Sequence, residues 1–264
     1  MFILSANFAR AQEEKRIPWI LDDSYNGSYS ESYQQLHHEI PDIFRHTVIE
    51  LSSRLGLNYQ EGWRYPLTVG FVDRAPFGVE NMLAYVQIVQ TAEGGIKQVL
   101  KINLKAYEQD KFNFEKVFAH ELVHAIMNDS LGAEASTKLP LWFHEGLAVW
   151  GADQGEQMLR SYVYRFGISA DSKMFNGLEN HSSPLDYAED YLAFKYIYKR
   201  HGINSLHNFV AEVVKKGGGI PEALEYTCFE KWDDFQENLA EFCKEEAKEI
   251  GMYKGRPAEM PQPY

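Results

Sequence analysis

The strongest constraint on the fold is a change of pattern near residue 110, where strand-like segments give way to helical ones. Residues 65–73, 81–90 and 96–107 are rich in β-branched and aromatic residues, and the last of these segments alternates apolar and polar side chains from Leu100 to Ala106. From Asn113 onward the apolar residues recur at helical spacing. Strands followed by helices, rather than alternating with them, predict an α+β fold.

The pattern also predicts where the elements lie. Residues 32–57 have helical spacing, with Pro41 expected to bend or interrupt that helix. Residues 81–107 predict a β-hairpin whose last strand, 98–106, lies at a sheet edge. Further helices are predicted at about 113–128, 140–160, 184–200, 204–216, 221–227 and 231–249, and the proline-rich end of the chain is expected to be irregular.

Composition excludes several functional classes. The 264-residue chain has 38 acidic and 26 basic residues, a net charge of −12, so we expect no nucleic-acid partner. It has no apolar run of 18 residues, so no transmembrane segment is expected. The first residues, through Ala9-Arg10-Ala11, resemble either an ordinary frayed terminus or the remnant of a signal peptide. The localisation therefore stays open between a soluble cytoplasmic and an exported protein.

The chain has two cysteines, Cys228 and Cys243. Two cysteines do not make a disulfide framework, and these two lack the spacing of a Cys-x-x-Cys metal or redox site. A single bridge between them remains open from the sequence.

The helix predicted at 113–128 contains the stretch His-Glu-Leu-Val-His from His120 to His124. Residues four apart share one face of a helix, so both imidazoles can be directed at one metal ion. Glu121 lies beside them, where a carboxylate can take a proton from a water that zinc activates. The alternative is a wetted helix face, but most of this helix is apolar and the polar stripe is narrow. The pattern therefore favours a zinc site with its own base.

A third ligand is expected in the helix predicted at 140–160. Six residues after His124, where one class of zinc peptidase has a third histidine, this chain has Ser130. Glu145 follows His124 by 21 residues and is flanked on its helix face by apolar side chains. A buried carboxylate needs a compensating cation, and the ion held by the two histidines would supply it. Adjacent His144 points about 100° away from Glu145 around the helix and is predicted not to bind the metal.

These residues resemble a known family. "HELVH" followed by "PLWFHEGLAVW" is similar to the gluzincin metallopeptidases, and most closely to the bacterial peptidase-MA-like group. The resemblance spans about 97–245 and is specific across 118–150. It implies a zincin-like fold: a small, mainly antiparallel sheet with an active-site helix, followed by a helical lobe. It also implies His120, His124 and Glu145 as zinc ligands and Glu121 as general base.

The chain departs from that family at Val149, where many relatives have an acidic residue that would partner a ligand histidine. Gluzincins also use a tyrosine or histidine outside the motif to stabilise the oxyanion. Tyr187 is the first candidate for that role, and Tyr191 and His181 remain alternatives.

Together these observations predict a zinc-dependent peptidase. Residues 1–112 would form the upper wall of a cleft, 113–254 the zinc-site and helical lobe, and 255–264 an irregular tail, together one catalytic domain. A peptide or protein substrate would extend along strand 98–106. Two alternatives stay open: a zinc hydrolase that acts on a non-peptide amide or ester, and a scaffold that retains zinc without catalysis.

Overall fold

The computed structural model describes residues 19–27, 29–57, 63–74, 82–110, 113–167, 174–175, 177–178 and 186–252. The signal-like N-terminal residues, His181 and the tail after residue 252 lie outside these ranges. The described elements are, in chain order, β1 (Ile20–Leu21), α1 (Glu31–Leu55), β2 (Leu67–Val72), β3 (Ala84–Gln90), β4 (Ile96–Asn103), α2 (Leu104–Asp110), α3 (Phe114–Leu131), α4 (Ala133–Ser136), α5 (Leu141–Gly151), α6 (Gly155–Phe166), α7 (Tyr187–Lys216), α8 (Ile220–Cys228) and α9 (Trp232–Met252).

The strands form a mixed four-stranded sheet in the order β1-β2-β4-β3. β1 pairs with β2 and β2 with β4 in parallel, and only the predicted hairpin of β3 and β4 is antiparallel. The prediction of a mainly antiparallel sheet was therefore wrong. The reason is that α1 connects β1 to β2 as a helical crossover, which makes those two strands parallel. β1 was not predicted, because a two-residue strand is too short to show alternation.

The prediction that strand 98–106 lies at a sheet edge was also wrong. β4 lies between β2 and β3, ends at Asn103, and is followed at once by helix α2. Alternating apolar and polar residues show only that one face of a strand is covered. They do not distinguish an edge strand from an interior strand. On the other face of β4, Lys101 bonds to Asp22 at 2.7 Å. The edge strand beside the helical part is β3.

Most of the predicted helices are found. Ser30 caps α1, which continues through Pro41 without interruption, and Asn113 caps α3. The helices predicted at 184–200 and 204–216 form α7, which has a kink at Gly202. The helix predicted at 140–160 is instead two helices, α5 and α6, because the chain turns after Gly151 and Asp153 adopts a left-handed conformation with φ of 56°.

A single hydrophobic core runs through the parts of the chain on both sides of residue 112. Helix α3 is at its centre and packs against α1, α5, α7 and the strands β3 and β4. Phe118, Leu122 and Ala125 are completely buried, which leaves the opposite side of α3 for the polar residues of the motif. Cys228 and Cys243 are buried free thiols. In the described part of the chain, no helix combines the length and the apolar character needed to span a membrane.

Candidate metal centre

The two motif histidines lie together on α3. Their spacing of four residues places the imidazole rings 4.9 Å apart, centroid to centroid, at a steep angle. His120 is 9% exposed, so its ring is almost entirely removed from solvent. The predicted geometry of the motif on one helix face is thus observed.

Glu145 on α5 is directed at both histidines. Its carboxylate oxygens lie 3.2 Å from Nε2 of His120 and 3.8 Å from Nε2 of His124. The candidate ligand atoms of all three residues lie within 4.8 Å of one another. The structure therefore brings together the three predicted ligands from two different helices.

This donor set fits a zinc ion. Two imidazoles and one carboxylate form a common three-residue ligand set of catalytic zinc, which leaves one position for water or substrate. Donor atoms at about 2.1 Å from a tetrahedral zinc are roughly 3.4 Å apart, close to the two distances from Glu145 to the imidazoles. The group could hold a metal ion with little rearrangement.

The charges of these residues depend on one another. Burial raises the pKa of Glu145, but the hydrogen bond from His120 and the nearby imidazoles outweigh that effect and lower the pKa to about 2. Burial lowers the pKa of His120, yet the contacts with Glu145 and Glu121 raise it overall. For His124 burial dominates and lowers the pKa to about 3. Glu145 is thus anionic and His124 neutral at pH 7, the forms in which each binds a metal.

Glu121 lies beside the ligands and is held differently. Its carboxylate accepts a hydrogen bond from the backbone N–H of Val86 on the edge strand β3. Burial, together with the negative charge of Glu145, raises its pKa to about 7, although His120 opposes the shift. A carboxyl group with this pKa can exchange protons near neutral pH, as a general base must.

Tyr187, the predicted oxyanion residue, also lies at the site. It is the first residue of α7, its hydroxyl hydrogen-bonds to Glu145, and its ring is 6.4 Å from that of His120. Tyr191 points elsewhere, because its hydroxyl donates to Glu156 at 3.1 Å. Of the two described candidates, the structure places only Tyr187 beside the predicted ligands.

His144 lies near the site but outside the ligand group. Its ring is 6.1 Å from that of His124, and its Nε2 is 2.7 Å from the backbone oxygen of Ser136. Since Ser136 O can only accept, His144 donates from Nε2. That nitrogen therefore carries a hydrogen and has no lone pair to offer a metal, and His144 is not among the residues whose ligand atoms lie together, in agreement with the prediction.

One site residue, Gln154, was missed from the sequence. Its side-chain Oε1 lies 3.0 Å from Nδ1 of His120, the ring nitrogen that faces away from Glu145. It belongs to the turn between α5 and α6, within the segment predicted as one continuous helix. A neutral amide in a turn follows no periodic pattern, and the family resemblance implies a carboxylate partner at position 149 instead, where this chain has Val149.

β3 is the last strand of the described sheet, and Glu121 contacts its backbone at the edge that faces away from β4. Asn103 N donates to Leu83 O, and Thr91 N donates to Gly95 O, which fixes the hydrogen-bonded pairs of the hairpin. Because such pairs alternate along antiparallel strands, the N–H and C=O groups of Ala84, Val86 and Ile88 point away from β4. No other described strand pairs with these outward groups; the N–H of Val86 bonds to Glu121, so a further extended chain that pairs there would displace that bond.

Comparison with protein-family models, curated proteins and solved structures found nothing that matches this chain.

Proposed function

We propose that this chain is a zinc-dependent peptidase of the gluzincin type, as its motif residues suggest. The observation that carries the proposal is the convergence of His120, His124 and Glu145, with Glu121 next to them and bonded to the edge strand. A purely structural metal site has no need of an adjacent carboxyl group whose pKa lies near 7. A hydrolytic site does, because its base must take up a proton and release it again.

In this proposal His120, His124 and Glu145 hold the zinc ion. When bound, zinc supplies Lewis acidity toward a water molecule and the substrate carbonyl. The carboxylate of Glu121 takes the proton of the attacking water and then gives it to the leaving amine. Tyr187 donates a hydrogen bond from its hydroxyl to the substrate carbonyl oxygen as negative charge develops there. This requires the hydroxyl to turn away from Glu145.

The substrate we propose is an extended peptide or protein segment aligned with β3, in place of the strand first predicted. Val86 is both an outward-facing residue of that edge and the donor to Glu121. A chain that pairs with Val86 and Ile88 would therefore pass directly over the general base. Main-chain pairing of this kind binds peptides with little regard to their side chains.

Two other functions start from the same residues. A hydrolase for a non-peptide amide or ester needs the same ligands and base, but it has no use for the free edge of β3. A zinc-retaining scaffold needs the ligands alone, and Glu121 has no role in it. The edge strand and Glu121 together are our reasons for preferring the peptidase.

The test is digestion of a peptide library by protein in four forms: zinc-loaded, chelator-stripped, zinc-reloaded, and zinc-loaded Glu121→Gln. We expect cleavage by the first and third forms alone. Glu115→Gln is the matched control, because Glu115 is exposed in the first turn of the same helix. Cleavage by the stripped protein or by Glu121→Gln would refute the mechanism. Stoichiometric zinc without cleavage of any peptide, amide or ester would favour the scaffold.

A further inference from the structure

The turn between α5 and α6 places a buried amide behind the candidate metal centre. The backbone N–H of Gln154 donates to Val149 O at 3.1 Å, which folds the turn back toward α5. Gln154 is 3% exposed, and its side-chain Oε1 lies 3.0 Å from Nδ1 of His120 on α3. Burying an amide costs free energy unless it is hydrogen-bonded, and His120 is the partner that this buried oxygen has.

The contact determines which nitrogen of His120 carries hydrogen. An amide oxygen can only accept, so Nδ1 of His120 is the donor in this pair. Without metal, Nε2 also donates, to the Glu145 carboxylate oxygen 3.2 Å away. When a metal takes the place of that hydrogen, the neutral imidazole keeps its hydrogen on Nδ1 and offers the metal the lone pair of Nε2. Gln154 thereby selects the tautomer that can bind a metal between His120 and Glu145.

The turn is fixed from two sides. Asp153, in its left-handed conformation, lies 3.1 Å from Arg54 Nη1, and its carboxylate and backbone oxygen both contact Lys116 Nζ. On the other side, a Cβ added at Gly155 would overlap the ring of Tyr191. With the residues before and after it held in this way, Gln154 has little freedom to leave His120.

We propose that Gln154 is the positioning residue of this metal centre, orienting His120 so that Nε2 points at the metal. The proposal rests on the proposed zinc site and adds a specific partner to it. Many metal-binding histidines have a carboxylate in this role. Here a neutral amide orients the ring without adding a third negative charge to a pocket that already contains Glu121 and Glu145.

The test measures zinc affinity by competition with a chromogenic chelator. Gln154→Leu keeps the approximate volume and removes the acceptor, and we expect zinc affinity to fall about 10- to 100-fold. Gln154→Glu restores an acceptor and should bind zinc at least as tightly as the unmodified protein. Gln157→Leu, the same substitution one turn further along α6, serves as the control and should leave the affinity unchanged.

A second measurement reads the tautomer itself. In the zinc-loaded protein, NMR correlation of imidazole nitrogens with their hydrogens should show a slowly exchanging Nδ1–H of His120. That signal should shift or exchange rapidly in Gln154→Leu, and it should be unaffected in Gln157→Leu. Thermal unfolding of the metal-free variants shows whether the fold itself has changed.

The outcomes separate this proposal from the one on which it rests. If the unmodified protein binds no zinc, the proposed function fails. If it binds one zinc and Gln154→Leu binds equally tightly, the role of Gln154 is refuted while the zinc site stands. Loss of affinity in Gln154→Leu together with recovery in Gln154→Glu supports the positioning role.

Discussion

The carboxyl group of Glu121 accepts a hydrogen bond from the backbone N–H of Val86, so the candidate base on α3 is tied to the edge strand of the sheet. This bond joins the two halves of the site. The helix supplies the metal ligands, and the strand supplies main-chain groups to which an extended substrate could pair. A substrate that bonds to the same N–H would release Glu121 to act on water, which links substrate binding to the availability of the base.

Glu145 should be required for zinc binding. Glu145→Ala removes the one anionic member of the ligand group. Removing a residue that only hydrogen-bonds to a metal ligand lowers metal affinity by up to about 100-fold, and we expect Glu145→Ala to lower zinc affinity by more than that. Elemental analysis after dialysis at pH 7 measures retention. Glu115→Ala, on the exposed first turn of α3, should keep full metal content. Full retention in Glu145→Ala would remove Glu145 from the ligand set.

Glu121 should make the metal-free protein less stable as pH rises. Its pKa is about 7 in the folded protein against an ordinary value of 4.5, so the folded state holds the proton more strongly than the unfolded state does. The contribution of Glu121 to stability is then full below pH 4.5, decreases as the pH rises through 7, and is lost by about pH 8. The full difference is at most about 3 kcal/mol.

Glu121→Gln cannot ionise and should be free of this loss. Urea denaturation with chelator present should find the variant more stable than the unmodified protein at pH 8, with the difference vanishing near pH 4.5. The other titrating groups are common to both proteins and largely cancel in the comparison. A stability difference that is constant between pH 5 and 8 would contradict the raised pKa.

Tyr187→Phe separates two roles of the hydroxyl. If the hydroxyl stabilises the oxyanion, kcat should fall about 100- to 1,000-fold while zinc affinity changes little. If it serves only to hold Glu145, zinc affinity should fall and kcat at saturating zinc should be nearly unchanged. Tyr191→Phe is the matched control one turn further along α7, because it removes a hydroxyl that bonds to Glu156 instead.

The sequence predicted the metal-site residues better than the sheet because the two depend on different information. His120 and His124 are related by a local spacing, and Glu145 was recognisable as one acid among apolar neighbours. Strand order depends on pairing between distant segments, such as Leu67 with Gln98, and no local pattern records it. Gln154 was missed for a related reason, because its role depends on a contact with His120, which is 34 positions away in the sequence.

Some helix glycines lie where two helices pack closely, and the sequence alone does not show which helix is the neighbour. A Cβ added at Gly146 on α5 would lie 2.5 Å from the backbone oxygen of Asp190 on α7. Gly146→Ala should therefore destabilise the protein by about 1–3 kcal/mol and disturb the helix that carries Glu145. Gly251→Ala, in α9 with open space around the added carbon, should be neutral or stabilising by less than about 1 kcal/mol. Equal effects in thermal unfolding would contradict the close approach of α5 and α7.

The last prediction concerns the edge strand. The N–H of Ile88 points away from β4, so Ile88→Pro removes an outward donor without breaking a ladder bond of the hairpin. We expect a folded protein whose kcat/KM for long peptides falls about fivefold, since one main-chain hydrogen bond to the substrate contributes about 1 kcal/mol. Ile88→Ala loses the same apolar packing but keeps the N–H, so the difference between the two variants isolates the hydrogen bond. Gln87→Pro, whose N–H faces β4, should destabilise the sheet itself. Identical kcat/KM values for Ile88→Pro and Ile88→Ala would show that the substrate does not pair with β3 at this position.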